Sequence, residues 1–201
     1  MLEKINEWFD EWVSTYLPKI NFGDTDHYQT YGRQISSGDR STLNAYLITE
    51  GDAKVKFGGF LDHRVRDFSA ETGERLSVHS EVKVYSKNSL SADLSIHKVD
   101  VEGLYFTSER LRESAVAVIE IKFATFREPY AILPGAIADI RKLSELVSGG
   151  RFLLLLDESL RLDRPLRAKQ CQQLQQLRDL ANEHGVRILS NNRHLTRCSE
   201  I

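Results

Sequence analysis

"AVAVIEIKFA", residues 115–124, begins as a buried strand and ends as something else. Small and branched apolar residues run without interruption from Ala115 to Ile119. Glu120 and Lys122 then place a carboxylate and an ammonium two positions apart, before Phe123 restores the apolar pattern. Side chains two apart on a strand project from the same face. The two opposite charges therefore share a face at the C-terminal end of their strand, inside what is otherwise core.

The pattern on either side fills in the rest of the fold. "RLSVHSEVKVYS" (75–86) sets Leu76, Val78, Ser80, Val82 and Val84 against polar residues, the alternation of a half-buried strand. "SADLSIHKV" (91–99) is a second strand, joined to 115–124 by residues 99–114. After Pro129 and Pro134, Ile137, Ile140, Leu143 and Leu146 or Val147 fall in helical register, with Gly149 as stop. "RFLLLLDES" (151–159) is a near-continuous apolar run, as in a central strand covered on both faces. A Gln-rich helix over about 166–184 and a short last strand, "VRILS", follow.

N-terminal to the strands, Leu43, Leu47, Glu50, Lys54, Phe57, Leu61 and Val65 share roughly one helical face, with Asp39 or Ser41 as cap. A strand hairpin over 43–67 is the competing reading, and Gly58–Gly59 predicts a break. Leu2, Ile5, Phe9, Trp12, Val13, Tyr16 and Leu17 give a leading helix ended by Pro18. Residues 21–40 read as loop. The expected architecture is an α/β domain over 41–201, a mixed sheet flanked by helices, after an N-terminal helix and loop extension over 1–40.

Composition narrows the function classes. With 41% hydrophobic and 28% charged residues among 201, the chain reads as a soluble globular protein. No run of about 18 apolar residues occurs, the acidic N-terminus lacks a signal-peptide core, and no membrane partner is expected. Two cysteines, Cys171 and Cys198, without nearby His or Cys, point to a reducing cytoplasm rather than a disulfide or zinc framework. Formal net charge is −2, unevenly spread: residues 1–100 carry 12 Lys/Arg against 16 Asp/Glu, residues 161–201 carry 8 against 4. Arg161, Arg164, Arg167 and Lys169 cluster near the last long helix, where they could grip a phosphate backbone or form a solvated helix end.

The charged pair becomes informative once the hairpin is drawn. If 91–98 and 115–123 pair antiparallel, the start of the first strand lies beside the end of the second. The acid there is Asp93, and a register placing 93 opposite roughly 121 brings it near Glu120. Two carboxylates about 4 Å apart repel by roughly 4 kcal/mol at an effective dielectric of 20; a divalent ion between them converts the liability into a site. Hard oxygen donors favour Mg²⁺ or Mn²⁺. Such an ion polarises a phosphoryl oxygen and acidifies a bound water, and Lys122 is placed to orient that water or to meet developing charge.

"SADLSI" followed by "VIEIKFA" resembles the motif of the PD-(D/E)XK nucleases, the restriction-endonuclease-like superfamily, although Ala92 stands where the motif has proline. The order helix, three strands, helix, strand over roughly 41–158 resembles that superfamily's αβββαβ core. The resemblance implies Asp93, Glu120 and the Ile121 carbonyl as metal ligands and Lys122 as the catalytic lysine. It also implies a further acid, Glu50 or Glu81, and Lys142 of "ADIRKL" as a phosphate contact. The expected function is Mg²⁺-dependent hydrolysis of DNA phosphodiester bonds, as an endonuclease in defence, restriction or repair, with a second protomer or a partner protein to deliver it to DNA. The rival is a non-catalytic module of the same fold, an interaction or regulatory subunit working through Trp8 and Trp12 of its acidic first helix. "FLLLLDES" resembles a nucleotide hydrolase's Asp-bearing strand, but the chain has no phosphate loop, which leaves Asp157 as a strand-end residue. Six scattered histidines lack the i, i+4 spacing of a helical metal site.

Overall fold

From Ala117 to Phe123, alternate side chains part to opposite faces of a five-stranded sheet that separates two cores. The structure, a computed structural model, describes residues 1–16, 50–85, 90–99, 108–124, 131–146, 148–157 and 168–191. In chain order the elements are α1 (Leu2–Tyr16), α2 (Glu50–Thr72), β1 (Leu76–Val82), β2 (Ala92–Lys98), α3 (Ser108–Ser114), β3 (Ala115–Ala124), α4 (Leu133–Ser144), β4 (Gly150–Asp157), α5 (Ala168–Glu183) and β5 (Val186–Ser190). The strands lie side by side in sequence order. β1, β2 and β3 pair antiparallel, while β3, β4 and β5 pair parallel. The expected α/β class, a mixed sheet flanked by helices, is what the chain forms.

Ala117, Ile119, Ile121 and Phe123 of β3 face one core, with Phe152, Leu154 and Leu156 of β4 and the apolar stripes of α1 and α2. Val118 faces the other, with Leu153, Leu155 and the stripes of α4 and α5. Both faces of β4 are thus covered, which explains its unbroken run of leucines. Burial of each large apolar side chain contributes about 1.5–3 kcal/mol. Glu120 and Lys122 interrupt the second core, directly beneath α4.

The leading helix belongs to the first core. Ile5, Phe9 and Trp12 are buried, the Trp12 and Phe57 rings lie 5.0 Å apart, and Arg64 of α2 pairs with Glu11. Residues 50–72 are helix, not hairpin, and the helix continues through Gly58–Gly59 where the sequence predicts a break. The reason is packing. A Cβ on Gly58 would lie 3.0 Å from Leu94 Cδ2, so the glycine lets α2 close on β2. That contact offsets the roughly 1 kcal/mol that glycine costs in a helix.

Two further details differ from expectation. The connection before β3 contains α3, whose last residue, Ser114, sends its Oγ to within 3.1 Å of His97 Nδ1. Gly149 does not stop α4, which ends at Ser144. It serves the turn into β4 instead, with φ +92° and a hypothetical Cβ only 2.7 Å from the Ala115 carbonyl oxygen. The predicted loop over 21–40, the caps Asp39 and Ser41, Pro18 and Cys198 lie outside the described residues.

Candidate active site at the end of the β2–β3 hairpin

The hairpin register brings the two acids together. Pairing runs Ile96↔Ala117, Ser95↔Val118, Leu94↔Ile119, and one further step sets Asp93 opposite Glu120, one residue from the register expected. Opposed residues of an antiparallel pair share a face. At this point the side chain takes over from the main chain: the Ile121 N–H donates to Asp93 Oδ2 at 2.8 Å. Asp93 is thereby locked at the end of the ladder, with Oδ1 left to meet Lys54 Nζ of α2 at 2.8 Å.

Glu120 is 1% exposed. Its Oε1 accepts the Tyr85 hydroxyl and lies 2.8 Å from Lys142 Nζ of α4. The same ammonium sits 4.9 Å from the centre of the Tyr85 ring. Lys122, two residues on, takes different partners: Asp139 Oδ2 of α4 at 2.9 Å and Glu50 Oε2 of α2 at 3.5 Å. It also donates to the Ile121 carbonyl at 3.4 Å. Glu81 closes the other side, pairing with Lys54 and accepting from Ser91 Oγ at 3.0 Å.

The backbone helps to build this cluster. α2 delivers Glu50 and Lys54 from its first two turns, while α4 runs back along β3, so Asp139 meets Lys122 and Lys142 meets Glu120. At the end of β1, Glu81 adopts φ 56°, the one positive φ outside glycine among the described residues. Such a conformation is uncommon for a residue with a Cβ. Here it ends the strand's alternation, and the chain turns in to bury Val84 and Tyr85.

Among the described residues, five carboxylates (Glu50, Glu81, Asp93, Glu120, Asp139) meet three ammoniums (Lys54, Lys122, Lys142), a formal balance of −2. Burial, and then the charge of Asp93, pushes the Glu120 carboxyl up to about 7, against the pull of Lys142 and Tyr85. Burial likewise raises the Tyr85 hydroxyl, reinforced by Glu120, and raises Asp139 despite Lys122. For Lys122, burial favours the neutral amine, but Asp139, Glu50 and Asp93 outweigh it and hold the pKa above the ordinary lysine value. Lys54 behaves the same way: burial opposes its charge, and Asp93 and Glu81 more than restore it.

The sequence-derived residues mostly converge. Asp93, Glu120, Lys122, Glu50, Glu81 and the Ile121 main chain lie in one charged cluster, and both candidate fourth acids reach it from opposite sides. Lys142 is engaged by Glu120 rather than standing open. Lys169 is exposed in the first turn of α5. β5 follows α5 after two residues and runs parallel to β4, so α5's first turn points to the sheet end that carries the cluster. Arg161, Arg164 and Arg167 lie outside the described residues. Lys54, Asp139 and Tyr85 were not singled out by sequence; only Lys54 left a trace, as the second charged residue in α2's apolar stripe.

Asp93, Glu120 and the Ile121 carbonyl offer hard oxygen donors. Among the described residues, no three His, Cys, Asp or Glu side chains already form a metal cage. Mg²⁺ does not need one, since it takes one or two carboxylates and keeps several waters. A buried, opposed carboxylate pair within a cluster of formal charge −2 fits such an ion. Comparison with family models, with curated proteins and with solved structures gives no match.

Proposed function

We propose that this chain is a Mg²⁺- or Mn²⁺-dependent nuclease of the PD-(D/E)XK type, hydrolysing DNA phosphodiester bonds as an endonuclease in defence, restriction or repair. One observation carries the reading: Asp93 stands opposite Glu120 on one face of a hairpin end, with Lys122 on that same face two residues on. The succession α2, three antiparallel strands, α4 and parallel β4 supports it, following the order the resemblance implies apart from the short α3 set between β2 and β3.

Asp93, Glu120 and the Ile121 carbonyl are the groups that would hold the ion, which when bound polarises a phosphoryl oxygen and acidifies a water. The chain's own contribution is positional and electrostatic. The Ile121 amide fixes Asp93, and Lys142 and Tyr85 fix Glu120, so the two carboxylates are held before substrate arrives. Lys122 retains its proton near neutral pH, because its partners favour the ammonium. It therefore supplies positive charge to the phosphoryl group as negative charge develops, rather than serving as a general base. Lys169, exposed in the first turn of α5, offers a positive charge to a phosphate backbone at that end of the sheet, and Arg164 and Arg167 precede it in the sequence.

Nicking of supercoiled plasmid in Mg²⁺ or Mn²⁺ tests the reading. Cleavage by the wild-type chain, reduced about 100-fold or more in both Asp93→Ala and Lys122→Ala, is the expected outcome. Absence of cleavage with every divalent ion favours the non-catalytic module. Trp12 and Trp8, which that rival nominates, are 0% and 8% exposed within the core.

A further inference from the structure

The two carboxylates of the hairpin end are not bare. Asp93 Oδ2 is turned to the Ile121 amide, and Oδ1 is met by the Lys54 ammonium at 2.8 Å. Lys54 comes from neither hairpin strand. It projects from the second turn of α2 and bridges Asp93 to Glu81, and its side chain is 21% exposed. An ion coordinated through Oδ1 would sit against that ammonium, and two cations cannot share the oxygen without strong repulsion. Glu81, 57% exposed at its side chain, offers Lys54 a second partner that stays available when the first is lost. Gly58, one turn further along α2, packs the helix on Leu94, the residue after Asp93. The lysine's reach is therefore set by the same contact that positions the acid.

We infer that Lys54 is the built-in counter-ion of the metal site: it neutralises Asp93 in the ion-free protein and is displaced onto Glu81 when a divalent cation binds. This rests on the metal-dependent reading above and adds to it a positioning residue from α2. Lys54 is thus a competitor of the ion, so its removal tightens ion binding instead of weakening it. A lysine that merely braced the fold would have no such effect.

Mn²⁺ binding, followed through the free-ion electron paramagnetic resonance signal, tests this without any turnover. Lys54→Met and Lys54→Gln should each bind Mn²⁺ ~tenfold more tightly than wild type, which is about 1.4 kcal/mol of ion pairing removed from competition. Lys83→Met, which removes an equal charge from an exposed position two residues from Glu81, should stay within about twofold of wild type. In wild-type protein carrying ¹⁵N-lysine, the Lys54 side-chain ¹⁵N resonance should shift at saturating Mg²⁺; this measurement stands even if the variants fold poorly. Unchanged or weaker affinity in both Lys54 variants, or a Lys54 signal insensitive to Mg²⁺, overturns the inference alone, provided Asp93→Asn abolishes binding. If Asp93→Asn binds Mn²⁺ as well as wild type, or no form binds it, the metal-dependent reading falls and takes the inference with it.

Discussion

Glu120 and His97 are buried titratable residues whose environments act in opposite directions on stability. Glu120's folded pKa, about 7, lies above its ordinary value of 4.5. Its contribution is therefore fully present below pH 4.5 and is lost as pH rises through about 7. His97 is held down to about 4, from 6.5, by burial, then by His79, with the backbone of Leu111 opposing. Its contribution is present above pH 6.5 and lost as pH falls through about 4. Between pH 4.5 and 6.5 the two slopes oppose each other, and just above pH 6.5 that of Glu120 remains. Glu120→Gln should consequently flatten the decline in ion-free melting temperature between pH 6.5 and 8; a decline as steep as in wild type would contradict the burial argument. Asp93, Glu120 and Lys122 were legible in the sequence because strand alternation and hairpin pairing are local rules. Tyr85 was not. The alternation through Val82 and Val84 assigned it to a continuing strand, whereas the left-handed conformation at Glu81 breaks that alternation one residue before β1 ends, and the ring is buried. Asp139 was hidden differently, since only the packing of α4 on β3 reveals that it faces Lys122.

At the scale of elements, α2 shows what periodicity can and cannot tell. Its apolar stripe marked it as helical, and the glycine pair marked a break that tertiary contact overrides. The two glycines are predicted to respond oppositely to substitution. Gly59 is exposed and a Cβ there meets nothing within 4 Å, so Gly59→Ala should stabilise the protein by about 0.5–1 kcal/mol. Gly58→Val should destabilise it by about 1–3 kcal/mol, through overpacking against Leu94. Urea unfolding of the two variants measures both. Because α2 also carries Glu50 and Lys54, the Gly58 variant should disturb the site as well as the fold, whereas the Gly59 variant should leave ion binding unaltered. The strand order and the antiparallel-to-parallel switch were not written in any one segment. They follow from which faces are apolar on both sides, a property that the leucine run of β4 announced and the half-polar β1 denied.

Across the molecule, the two cores have different duties. The first, under α1 and α2, is uninterrupted hydrocarbon and aromatic packing; Trp12→Ala at its centre should cost about 3–5 kcal/mol, seen as a lower urea midpoint, while leaving the charged cluster under α4 in place. The second core gives up part of its apolar face to Glu120 and Lys122, a cost that the proposed cation would offset. If the proposed ion binds through Glu120, it has to strip a proton from that carboxyl below about pH 7, so Mg²⁺ should raise the melting temperature more at pH 8 than at pH 5.5. A shift equal at both pH values would place the ion elsewhere. The most direct test is crystallographic: Mn²⁺ soaked into crystals of the wild-type chain, with anomalous scattering recorded at the manganese edge. A peak at coordinating distance from carboxylate oxygens of both Asp93 and Glu120 is the predicted result; a map with no peak between them, or with manganese bound only at other carboxylates, would contradict the account.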